Sequence, residues 1–104
     1  MAERVNRIVW SKNALRDIKE IFEYWNRTNG NKDYSRKLNK EFSSLVDLLL
    51  LFPRIGRTVE NYDIRFLCKY EYIIFYKTKG SIKKPDIEII QVWDSRRDPL
   101  ELKL

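Results

Sequence analysis

The sequence has no histidine, a single cysteine, three glycines and three prolines in 104 residues. Without histidine it lacks the side chain that ordinarily serves as a general base near neutral pH. With only Cys68 besides, an internal disulfide is excluded and no transition-metal site or other cofactor is expected. Cys68 lies between Leu67 and Lys69 in a strand-like run and is expected to be a small core residue. The longest apolar run, residues 48–52, is far too short to span a bilayer, so no membrane association is expected. Residues 1–7 are polar and charged, unlike a signal peptide, which leads to the expectation of a soluble, cytoplasmic protein. No linker, repeat or low-complexity segment interrupts the chain, and residues 1–104 read as a single domain.

What is present supports a packed core: hydrophobic residues make up 43% of the chain and aromatic residues 13%. Lys and Arg number 21 against 15 Asp and Glu, a net charge of +6 that favours an acidic partner. The basic residues are spread from Arg4 to Lys103 rather than gathered in a tail, which argues against a disordered arm.

Residues 4–10 read as a strand, with Val5, Ile8, Val9 and Trp10 supplying β-branched and aromatic bulk. Ser11 is placed to cap a helix whose Leu15, Ile18, Ile21, Phe22 and Trp25 share one face. Residues 26–31 read as a turn, with Gly30 as the left-handed cap. A second helix starts near Asp33, carries Tyr34, Leu38, Phe42, Leu45, Leu49 and Phe52 on its buried face, and stops at Pro53. Leu48, Leu50 and Leu51 widen that face, which predicts deeper burial toward its end. Residues 54–60 form a connector in which Gly56 permits a sharp turn. Three strand-like runs follow, at 63–69, 70–77 and 86–93, the first two joined by a turn within residues 68–71 and the last two by a loop over 79–85. On the middle run Tyr70, Tyr72, Ile74 and Tyr76 share a face, which fits cross-strand packing better than base stacking. The order is β-α-α-β-β-β, an α+β domain with a helical hairpin on one face of a mainly antiparallel sheet.

The last run ends abruptly in Asp94-Ser-Arg-Arg-Asp-Pro99, which sets Arg96 and Arg97 at the end of a rigid strand. Their planar forks suit phosphate or carboxylate in a way lysine does not reproduce. In the competing reading, Asp94 and Asp98 pair with these arginines in a solvated turn.

Four motifs in this order resemble the RelE/ParE superfamily of bacterial type II toxins over nearly the whole chain. They are Ile8-Val-Trp-Ser11 with Ala14, Leu15 and Ile18; Leu51-Phe-Pro-Arg-Ile-Gly-Arg57; Ile64-Arg-Phe-Leu67 followed by Tyr72-Ile-Ile-Phe-Tyr76; and Val92-Trp-Asp-Ser-Arg-Arg-Asp-Pro99. The resemblance implies the fold read above and a toxin neutralised by a cognate antitoxin. Its branches act either as ribosome-dependent mRNA endonucleases or as poisons of DNA gyrase. The resemblance implies that in the endonucleases an Arg typically follows the Tyr of a "YR" motif on the middle of the three later runs, and that the tail usually carries a Tyr or His; here Ile73 follows Tyr72 and the tail offers Leu100, Leu102 and Leu104. Isoleucine cannot hold a phosphate and leucine cannot move a proton, so the resemblance favours the ParE-like, gyrase-binding branch, with the ribosome and mRNA as the alternative target and a non-toxic binding module as a third reading. The implied target- or phosphate-binding residues are Arg65, Lys69, Lys77, Arg96 and Arg97; for a nuclease, Arg65, Lys69 and Arg96 would serve the chemistry.

Overall fold

The computed structural model describes residues 7–80, 83–102 and 104. Strand β1 (Arg7–Trp10) leads into helix α1 (Lys12–Asn29), helix α2 (Asp33–Leu51), β2 (Arg57–Thr58), β3 (Arg65–Lys69), β4 (Tyr72–Gly80), β5 (Pro85–Asp94) and a 3-10 turn (Pro99–Glu101). The five strands form one sheet in the order β1-β5-β4-β3-β2, with β1 parallel to β5 and the other neighbours antiparallel. The expected α+β arrangement of a helical hairpin on one sheet face is therefore present, with β2 added inside the expected connector. Of the expected first strand, residues 4–6 lie outside the described residues.

Ser11 joins the two layers. Its hydroxyl accepts from the Ala14 N–H at 3.0 Å, capping α1, and donates to the Ile90 carbonyl of β5 at 2.9 Å. Helix α1 runs into the expected turn at 26–31 as far as Asn29, because the expected left-handed cap, Gly30 at φ 71°, ends it only there. Ser35, buried in the hairpin, donates to Asn26 Oδ1 at 2.6 Å and fixes how the two helices meet.

Ala14, Leu38, Phe42, Leu49, Tyr72, Ile74, Tyr76, Ile87, Ile89 and Val92 fill the space between helices and sheet. A smaller cluster, Ile64, Phe75 and Trp93, lies on the other face and is flanked by Val59, Ile73, Ile90 and Leu102. Ile90 is an extra residue in the β4–β5 ladder, where Phe75 pairs with Gln91 and Tyr76 with Ile89.

Several burial expectations are corrected. Phe52 is 48% exposed, because α2 ends at Leu51 and the extended backbone at Phe52 (φ −135°, ψ 76°) carries its ring off the buried face. The end of α2 is not its most buried part: Leu50 and Leu51 are exposed, since successive helical residues turn by about 100° and only Leu49 keeps the inward direction. Leu15 is also exposed, at 55%. Cys68 is exposed rather than in the core, because in β3 the alternation turns Leu67 inward and its neighbour outward. The β3–β4 turn is Tyr70 and Glu71, so Tyr70 leaves the face it was expected to share with Tyr72 and Tyr76, and β4 continues to Gly80.

Candidate functional site

At the end of β5 the chain turns on Asp94. Its carboxylate accepts from the Arg96 N–H at 2.9 Å, from Arg96 Nε at 3.0 Å and from Nη2 at 2.8 Å, a backbone turn and a side-chain fork held by one residue. These bonds from Arg96 hold the Asp94 carboxyl below the usual carboxylate range, and the carboxylate in turn keeps Arg96 protonated. The Ser95 N–H donates to the Glu71 carbonyl at 2.8 Å, which ties this turn to the β3–β4 turn. Arg97 donates to Glu101 Oε2 at 2.9 Å and lies with its guanidinium carbon 4.3 Å from the Trp93 ring centre. The expected pairing of Asp94 within the turn is thus seen with Arg96, while Arg97 reaches a glutamate of the 3-10 turn.

The helical hairpin supplies an aromatic wall beside these arginines. Trp25 lies 5.8 Å below the Arg96 guanidinium, meets Tyr34 edge-on at 4.6 Å and Tyr24 at 5.0 Å, and donates its Nε1–H to Tyr72 Oη at 2.7 Å. Burial raises the Tyr72 and Tyr34 hydroxyls above the usual tyrosine range, so both are neutral donors or acceptors at physiological pH. Tyr70 sits at φ 52°, an uncommon conformation for a bulky residue, and holds its ring in solvent between Lys37 Nζ at 5.5 Å and Lys69 Nζ at 5.3 Å. A hollow of about 160 Å³ opens between α1 and the end of β5, lined by Asp17, Glu20, Tyr24, Tyr72, Asp94 and Arg97 among others. On its floor Asp17 Oδ2 accepts from the Val92 N–H at 2.9 Å, at the point where β1 no longer covers β5; burial raises this carboxyl above the usual range.

Of the residues expected at the site, the fold gathers Lys69, Arg96 and Arg97 at one end of the sheet, where Lys69, Tyr72 and Asp94 are in register across three strands. Lys69 is paired there with Glu41 at 3.1 Å. Arg65 stands on the same face but points along the sheet, donating through Nη1 to the carbonyls of Arg54 (3.1 Å) and Gly56 (2.9 Å). Lys77 is five positions along β4 from Tyr72, roughly 17 Å away, and pairs with Glu88. Trp25, Tyr34, Lys37 and Tyr70 belong to the site without having been expected in it; Trp25 and Tyr34 carried the apolar periodicity of core residues, and Lys37 carried no signal. Among the described residues no group of three or more potential metal ligands comes together.

The arrangement offers two oriented guanidiniums, two lysines and flat aromatic surface at one end of a rigid sheet. The family model for the ParE toxin of the type II toxin-antitoxin system, parDE, matches residues 8–99. The chain belongs to the ParE toxin family. Among solved structures, this ParE-family toxin is similar to a chain of the chromosomal ParDE TA system from P. aeruginosa, with a TM-score of 0.68 and 20% identity over 85% of this chain and 92% of that one. No curated protein matches its sequence. The likeness establishes a shared fold, and the family match makes the chain the toxin of a type II system. No helix among the described residues of this ParE-family toxin is long and apolar enough to cross a membrane.

Proposed function

We propose that this ParE-family toxin arrests growth in the bacterial cytoplasm by binding DNA gyrase through the end of β5, and that a cognate antitoxin silences it. Arg96 and Arg97 are the principal contacts and Lys69 adds charge at the same end, while Arg65 acts by holding the connector and Lys77 lies apart. The observation that carries the choice of binding over RNA cleavage is the placement of Ile73. In the endonucleases that the sequence resembles, an Arg at this position holds phosphate; here Ile73 packs with Phe75 and Trp93 on the face away from the helices. Tyr72, the nearest phenol in sequence, is 1% exposed and engaged with Trp25, which suits it to packing rather than proton transfer.

The antitoxin follows from the family and from charge. A toxin carrying a net +6 attracts acidic segments and speeds their approach, while lasting inhibition needs buried apolar anchors that slow dissociation.

The test assays purified toxin for gyrase supercoiling and for mRNA cleavage on programmed ribosomes, side by side. Impaired supercoiling without codon-specific cuts is expected. Cleavage on translating ribosomes that is lost in Arg96→Ala would move the protein to the endonuclease branch.

A further inference from the structure

Exposed apolar surface is concentrated where α2 ends. Leu51, Phe52 and Ile55 are 56%, 48% and 47% exposed, and the Ile55 N–H donates to the Phe52 carbonyl at 3.1 Å, so they belong to one short turn. Beside it lies a hollow of about 380 Å³ lined by Ile55, Arg57, Phe66, Leu67 and Cys68. The same place is an interrupted sheet edge. β2 pairs with Arg65 and Phe66 and goes no further, and no other strand among the described residues lies outside β3.

The backbone there is turned outward. Val59 N–H donates to the Ile64 carbonyl at 2.9 Å, so Ile64, and by the two-residue period Phe66 and Cys68, direct their N–H and C=O groups to the outer edge. Arg57 pairs with Phe66, whereas Cys68, which pairs with Ile73 of β4 on its inner side, has no strand on its outer side among the described residues. The cause is Gly56: its N–H donates to Tyr76 Oη at 2.9 Å, which draws the chain before β2 off the edge and toward the helix side of the sheet.

We propose that residues 67–69 and the hollow at Ile55 form a strand-addition site for an extended, acidic and apolar segment of the antitoxin. This rests on the reading of the chain as a toxin with an antitoxin partner. Three strand residues span about 10 Å, so the Cys68 N–H and C=O set the segment's register, and an apolar side chain seated against Ile55 and Leu67 holds it. Alternate side chains of the segment face away from the hollow and carry its acidic groups. Arg57, exposed on the rim, and the net charge of +6 favour such a segment. The same excess charge disfavours a second copy of the toxin, because two chains that each carry a net +6 repel one another.

Cys68, the only cysteine of the chain, is exposed and reports directly on this edge. The experiment measures its alkylation rate in the full-length toxin, alone, in complex with the product of the neighbouring gene, and with a synthetic peptide of about seven residues alternating Glu with Val and Ile. Both additions are expected to slow alkylation roughly tenfold or more, and Ile55→Asp is expected to weaken binding by at least about tenfold. Ile55 is exposed in the free toxin, so a thermal melt equal to wild type shows that the variant folds. A tight complex in which Cys68 reacts at the free rate and Ile55→Asp binds normally overturns the proposed site while leaving the toxin–antitoxin reading intact. Absence of any complex with the neighbouring product, together with protection by the peptide, refutes the choice of partner and supports the edge as a site for acidic strands. Absence of both defeats the two together. A dimer that cross-links through Cys68 shows the occupant to be a second copy and also overturns the proposal.

Discussion

Replacing Gly56 by alanine tests the packing on which the connector, and with it the open β3 edge, depends. Gly56 is buried, and a Cβ built on it meets Tyr76 Oη at 2.6 Å, Tyr76 Cε1 at 2.7 Å and the Phe66 carbonyl oxygen at 3.0 Å. None of these gives way readily, since Tyr76 is 0% exposed and the Phe66 carbonyl belongs to the sheet backbone. Forcing an extra methyl into such a site costs about 1 to 3 kcal/mol, and loosening the bond from the Gly56 N–H to Tyr76 Oη adds about 1 kcal/mol. A loss of about 2 to 4 kcal/mol lowers Tm by roughly 10 to 25 °C in a domain of this size. Thermal melts and urea unfolding of Gly56→Ala and Tyr76→Phe, singly and together, provide the assay. Tyr76→Phe removes the nearest obstacle but leaves the ring carbon, so the double variant is expected to be less destabilised than the sum of the single losses. A Gly56→Ala protein melting within about 2 °C of wild type, against the 4 to 8 °C per kcal/mol expected, would refute the close-approach argument.

Leu49→Ala is expected to cost about 2 to 5 kcal/mol and Phe52→Ala less than about 1 kcal/mol, because Leu49 is 0% exposed and Phe52 is 48% exposed; equal Tm losses would contradict the observed end of α2. Arg96→Ala and Arg97→Ala should abolish growth inhibition with little change in Tm, their pairs with Asp94 and Glu101 being exposed, and a fully toxic double variant at equal expression would dismiss the turn as a recognition element. Asp17 and Asp94 should respond to pH with opposite signs. The raised Asp17 carboxyl favours the folded state most when protonated, so its contribution declines as pH rises through its folded pKa; Asp17→Asn is therefore expected to stabilise the protein at pH 7, with the gain vanishing in acid. The lowered Asp94 carboxyl contributes above the usual carboxylate range, and that contribution is lost as pH falls through its folded pKa. Stability curves of the two Asn variants from acid to neutral pH check both signs, and parallel curves for the two would reject the assignment.

Local patterns sufficed wherever one physical signal dominated. The helical periods of Ile18, Ile21 and Phe22 and of Leu38, Phe42 and Leu49, the cap at Ser11, the stop at Gly30 and the strand-like apolar runs that became β4 and β5 placed the elements and their order. The Arg96–Arg97 pair was legible as a strand-end turn because a β-branched run broke off there into charge. The four short motifs carried the family. Three matters were decided only by tertiary contact. One was which apolar residues the core has room for: Leu50, Leu51, Phe52 and Leu15 look like core residues yet are exposed, because burial requires a facing surface as well as a periodic position. Another was which cations gather: Lys69 joins Arg96 and Arg97 through the register of β3, β4 and β5, whereas Arg65 is turned to the connector and Lys77 lies far along β4. The last was the reason for Gly56, read as a turn residue from its place after Pro53. Its φ is not positive, and what demands glycine is the Tyr76 ring, twenty residues away in sequence and in contact only once the sheet has formed. Sequence records what a residue prefers locally, and the packing of distant segments determines which preferences are met.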